Sequence, residues 1–189
     1  MLFRSPALLP FAPAAHLSAF QLKAEAHWRQ GVLELHYRLE HAGSNLILPA
    51  AAAAPERRDG LWQHTCFEAF LSQRGLPGYW EINLSPSGHW NVYRLSSYRE
   101  NLQPEPAVTQ LPLLVHHSAT GLELRYSLPL ASLLNAAEPL ELSVTAVLEQ
   151  TGSGCSYWAW QHSGAEPDFH RRDSFTTLAA ERHRTAPNA

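Results

Sequence analysis

Helical periodicity, basic stripes and long apolar runs are all nearly missing from this 189-residue sequence. No run approaches the roughly eighteen apolar residues of a membrane-spanning helix, so a bilayer span is not expected. Lys and Arg number 14 against 17 Asp and Glu, a net charge of −3, which makes nucleic acid and anionic membrane surfaces poor partners. Cysteine is reduced to Cys66 and Cys155, in separate candidate strands and without CxxC or Cys/His metal spacing. Free, buried thiols are the expected state, with a disulfide as the alternative. There is no GxSxG elbow, HExxH pair, phosphate-cradling glycine loop or dinucleotide fingerprint, so neither an enzyme nor a bound cofactor is expected. The N-terminus imitates a signal peptide, with Arg4 before an apolar stretch, but Pro6, Pro10 and Pro13 interrupt it. The expected location is the cytoplasm.

What is present is alternation. Apolar residues make up 45% of the chain, ample for one core, and a single domain spanning 1–189 with its core between about 17 and 178 is expected. Strands are predicted at Leu17–Trp28, Val32–Leu39, His64–Ser72, Tyr79–Ser85, His89–Leu95, Leu113–Ser118, Leu122–Leu128, Leu140–Gln150, Ser156–Gln161 and Ser174–Leu178. Gly31, His41–Asn45, Pro77-Gly78, Pro86-Ser87-Gly88, Thr120-Gly121 and Gly152–Gly154 supply turn chemistry. Pro129–Asn135 is the one candidate short helix, with proline at its start, and the tail Ala180–Ala189 reads as frayed. The predicted class is all-β: a jelly-roll-like antiparallel β-sandwich of about ten strands.

The segment Arg57–Arg99 is the richest in chemistry. Glu81 and Asn83 share one face of their strand, and Trp80 and Ile82 share the other; Asn91 and Tyr93 likewise oppose Val92 and Arg94. Such a polar face is either ligand-facing or simply solvated. Trp62, six residues before Glu68, offers an indole platform for a sugar ring beside a carboxylate that can accept two hydroxyl bonds, or else plugs the end of the sandwich. Trp158 and Trp160 share a strand face, as core residues or with Trp160 and His162 as a second aromatic wall. In Pro167–Asp173 an Asp168 or Asp173 partner to arginine is favoured over a metal site, whose ligand spacing is lacking.

The runs LWQHTCFEAFL, YWEINLSPSGHWNVYR, PLASLL, WAWQH and PDFHRRDSF resemble the DOMON-like domains, a superfamily that also holds the family 9 carbohydrate-binding modules. The similarity spans roughly Leu17–Leu178 and implies a β-sandwich with ligand at one side or end. In the sugar-binding members two tryptophans sandwich the terminal sugar while Glu, Asn/Gln and Arg bond its hydroxyls. The resemblance carries those roles onto Trp62 and Glu68, with Trp160 as second wall and Glu81, Asn83 and Arg94 as polar partners. The haem-binding branch ligates through methionine with histidine or lysine; Met1 is the sole methionine here, so that set is lacking, and only bis-histidine ligation would be left. A small carbohydrate is the expected ligand. A protein-interaction sandwich is the alternative reading.

Overall fold

The computed structural model describes residues 2–4, 7–41, 45–135 and 138–178. The tail expected to fray and most of the His41–Asn45 turn lie outside them. In chain order the strands are β1 (Leu2–Arg4), β2 (Leu9–Pro10), β3 (Gln21–Arg29), β4 (Val32–Glu40), β5 (Cys66–Gln73), β6 (Tyr79–Leu84), β7 (Trp90–Leu95), β8 (Gln103–Pro104), β9 (Leu113–His117), β10 (Gly121–Pro129), β11 (Leu140–Gln150), β12 (Gly154–Ala159) and β13 (Thr176–Leu178). The number exceeds ten because β1, β2 and β8 are additional edge segments of two or three residues.

These strands form two antiparallel sheets, packed as a β-sandwich. The first runs β1-β3-β4-β10-β9; the second runs β2-β12-β11-β5-β6-β7-β8, with β13 also on β11. The β3–β4 hairpin turns through Gln30 and Gly31, with φ of 49° and 76°. Two left-handed residues make the two-residue turn whose twist matches the strands.

Alternation places the core. Leu22, Ala24, Leu35, Tyr37, Leu124 and Leu128 from the first sheet meet Phe67, Leu71, Ile82, Val92, Leu142 and Val144 from the second. The buried Tyr37 hydroxyl donates to the Glu68 carbonyl at 2.7 Å, tying the sheets together. The outer face of the first sheet is partly open, so β3 and β4 alternate between buried and more exposed residues. All eight residues of β5 are buried, which means its second face is covered too.

Two expectations at element ends change. Pro129–Asn135 is a turn rather than a helix: Pro129 still pairs with Val32, after which Leu133 and Leu134 N–H groups both reach the Leu130 carbonyl, at 2.9 and 2.8 Å. With Leu130 and Leu134 pulled into the core, one turn closes there, and a helix that short does not overcome its nucleation cost. Leu17 lies in a 3₁₀ turn, Ala15–Ala19, so β3 starts at Gln21. Cys66 and Cys155 are free, on strands that flank β11. Two strand spacings, roughly 10 Å, exceed the reach of a disulfide.

Candidate functional site

The covered face of the second sheet is polar. In register across it, Asn91 on β7 lies opposite Asn83 on β6, Asn83 opposite Glu68 on β5, and Glu68 opposite Thr145 on β11. The next row is Tyr93, Glu81, Phe70 and Ser143. Glu68 is only 2% exposed, and Asn83 and Thr145 are fully buried. Among the described residues, Glu68 Oε1, Asn83 Oδ1, Ser143 Oγ and Thr145 Oγ1 are buried without a hydrogen-bond partner. An unmade bond at such a site costs about 1–3 kcal/mol per group, so four in one patch call for an explanation.

Two segments build walls above this floor. Gly60, with φ of 72°, turns the chain into the 3₁₀ segment Leu61–Gln63 and sets Trp62 edge-on against Tyr93, at 5.8 Å between ring centroids. Asp59 fixes this turn by accepting from the Tyr93 hydroxyl at 2.8 Å and the Asn91 amide at 2.9 Å. From the other side, residues 163–175 fold back over the sheet. Phe70 is the anchor, surrounded by Tyr79, Phe169, His170 and Phe175 at 5.1–6.4 Å. Asp168 accepts from Tyr98 at 2.5 Å and Arg99 at 2.9 Å, while Asp173 pairs with Arg171 at 2.7 Å. These are arginine-holding carboxylates of the kind expected for this segment. The bonds from Tyr98 and Arg99 overcome burial and hold the Asp168 carboxyl below its usual range.

Between the walls lies a cleft of about 310 Å³, lined by Trp62, Glu68, Phe70, Glu81, Arg99, Val147, Tyr157, Phe169 and His170 among others. Trp62 is 37% exposed and Tyr157 39%, so two large aromatic faces reach solvent at its rim. Burial drives the Glu68 carboxyl well above the ordinary range, and the neighbouring Glu81 adds to the effect. Burial also raises Glu81, against the Asn83 amide bond at 2.8 Å and the Arg99 charge. His170 moves the other way, to about 4, because burial and Arg99 disfavour its charged form. His170 is therefore neutral near pH 7, while the Glu68 carboxyl holds its proton more tightly than a solvated carboxyl does. Among the described residues, no three His, Cys, Asp or Glu side chains are grouped to hold a metal.

The sequence-predicted residues divide. Trp62, Glu68 and Glu81 meet in the cleft, and Asn83 lies beneath it, bonded to Glu81. Arg94 does not join them: strand alternation puts it with Val92 on the opposite face, where it lines a separate depression with Leu76, Trp80 and Gln103. Trp160 is not a second wall either. It is 9% exposed and belongs, with Trp158, to the core between the sheets. His162 stands outside the lining, donating Nε2–H to the Leu9 carbonyl at 2.9 Å and abutting Phe11 at 5.2 Å. Its ring also lies 6.4 Å from Phe169. Tyr157 and Phe169 take the place expected of Trp160. Sequence reading passed over Tyr157 and Phe70 and weighed His170 only beside Asp168 and Asp173 as a metal ligand.

No family model and no curated protein sequence matches the chain. Its fold is similar to that of a candidate carbohydrate-binding protein from Bacteroides uniformis, with TM-score 0.72 at 13% identity, covering 94% of this chain and 87% of that one. It is also similar to a family 9 carbohydrate-binding module from Caldicellulosiruptor kristjanssonii in complex with glucose, with TM-score 0.53 at 10% identity over 98% and 88% of the two chains. The same module in complex with cellotriose matches with TM-score 0.51 over the same shares.

Proposed function

We propose that this protein is a non-enzymatic binding domain for a small saccharide, held in the cleft above the outer face of the second sheet. The observation that carries the reading is Glu68, whose Oε1 is buried and unpartnered among the described residues, lining a cleft with aromatic rims. A pyranose supplies what both parts lack: C–H faces for Trp62 and Tyr157, and hydroxyls that donate as well as accept. Burial of Glu68, which disfavours its charged form, suits hydroxyls better than charged groups. Similarity in fold to sugar-binding modules, and the DOMON-like motifs of the sequence, support the same reading.

Glu68 and Glu81 do not favour a glycosidase. They are diagonal neighbours on one sheet face, since Glu68 is opposite Asn83 and Phe70 opposite Glu81. Glycoside hydrolysis needs two carboxyl groups flanking the bond to be broken.

Calorimetric or NMR titration with glucose and cellotriose tests the proposal, using wild type beside Trp62→Ala. Ring stacking with a few hydroxyl bonds gives millimolar to micromolar affinity, about −4 to −8 kcal/mol. Trp62→Ala should weaken it at least ~10-fold, with circular dichroism checking that the fold survives loss of the indole's contact with Tyr93. Absence of binding by wild type, or equal binding by both proteins, sinks the reading.

A further inference from the structure

His170 is held in one tautomer by a chain of hydrogen bonds that starts at the backbone. The Arg99 N–H donates to the Tyr79 hydroxyl at 3.0 Å. Among the described residues His170 Nδ1, 2.7 Å away, is the one acceptor the phenol has for its own proton, and the pairing satisfies the O–H when the phenol donates there. A neutral ring that accepts at Nδ1 carries its proton on Nε2. Arg99 has the positive φ of 57° that few non-glycine residues adopt, and its side chain is tied to Asp168, so this chain is anchored at both ends. Phe70, edge-on at 5.1 Å, packs against the imidazole.

The Nε2–H lies 4.0 Å from Glu81 Oε2, too far for a direct bond. Glu81 Oε1 is already engaged by the Asn83 amide at 2.8 Å, which leaves Oε2 as the acceptor on the cleft side. One oxygen atom about 2.8 Å from both would bond them at an angle of roughly 90°, within the range of a hydroxyl.

We propose that His170 and Glu81 form a donor–acceptor clamp for a single ligand hydroxyl, which accepts from Nε2–H and donates to Oε2. The clamp rests on the saccharide reading above and deepens it, making His170 a specificity-determining residue and Tyr79 the residue that positions it. It selects an uncharged hydroxyl: a carboxylate oxygen would meet Glu81, and an ammonium would meet the N–H.

The test uses D-glucose and its monodeoxy derivatives against wild type and His170→Asn. Asparagine retains an acceptor for the Tyr79 phenol but has no atom at the Nε2 position; circular dichroism checks the fold. For wild type, one monodeoxy sugar should bind at least ~10-fold more weakly than glucose, and in the variant that ratio should fall close to one. If glucose binds wild type and every deoxy penalty persists in the variant, the clamp is wrong and the saccharide reading stands. If neither glucose nor cellotriose binds wild type, both fall. Nitrogen-15 NMR of the His170 ring gives a readout independent of the variant: the Nε2–H tautomer is expected, and the Nδ1–H tautomer overturns the clamp.

Discussion

Acidifying the protein from pH 6.5 to 4 should cost it about 3 kcal/mol through His170 alone. Burial, helped by the Arg99 guanidinium and opposed by Asp168, takes the ring from 6.5 to about 4. The unfolded chain thus binds a proton near pH 6.5 that the folded chain refuses until about pH 4. The contribution is complete above pH 6.5 and is lost as the pH falls through the folded value. Each tenfold change in proton affinity is worth about 1.4 kcal/mol, hence the figure of about 3, a large share of a stability of roughly 5–15 kcal/mol. Urea unfolding followed by tryptophan fluorescence, from neutral pH down to about pH 4, measures it for wild type and His170→Asn. The carboxylates titrate in both proteins, so the difference between the two curves isolates the imidazole. The two unfolding free energies should converge, or cross, by about 3 kcal/mol over that range. Curves that stay parallel would show that His170 is free to protonate in the fold, and the account of its burial and tautomer would fail.

Glu68 should act with the opposite sign. Its folded proton affinity is raised by burial and by Glu81, so its contribution is present below the ordinary value of 4.5 and disappears as the pH rises through the folded value. Glu68→Gln should flatten that loss of stability with rising pH, whose slope is at most about 1.4 kcal/mol per pH unit for one proton; an unchanged slope refutes the assignment. Arg57 packs over Trp90 at 4.7 Å and donates to Asn91 Oδ1 at 2.8 Å and the carbonyls of Val92, Glu105 and Val108. Lysine cannot reproduce that fork, so Arg57→Lys should cost about 2 kcal/mol in chemical denaturation, and a change below about 0.5 kcal/mol would argue against it.

Much of the fold was legible because strand alternation is local. The bounds of β11, Leu140–Gln150, emerge as expected, and β4, β6, β7 and β10 differ from theirs by a residue or so at one end or both. The face shared by Glu81 and Asn83 follows from the same period of two. That period also separates Arg94 from Tyr93, and it pairs Trp160 with the core Trp158. Strand position left Trp160 open as core residue or second wall, the resemblance favoured it and Arg94 for the site, and the strand geometry placed both elsewhere.

What the sequence determined by itself is the sandwich and the sidedness of its strands, since these depend on residues two positions apart. It also marked Trp62, Glu68 and Glu81, which the fold brings into one cleft. Only the tertiary structure decided that the polar face would be roofed rather than solvated. The roof comes from residues 163–175, whose Phe169 and His170 close on Phe70 almost a hundred positions earlier. No local pattern encodes that contact, because it depends on where β11 and β12 deliver the chain after the sheet is formed. The same closure withdraws Glu68 from water and raises its proton affinity, and it aims the His170 Nε2–H at Glu81. Protonation state and tautomer are set by burial and by distant partners, quantities that exist only once the chain has folded.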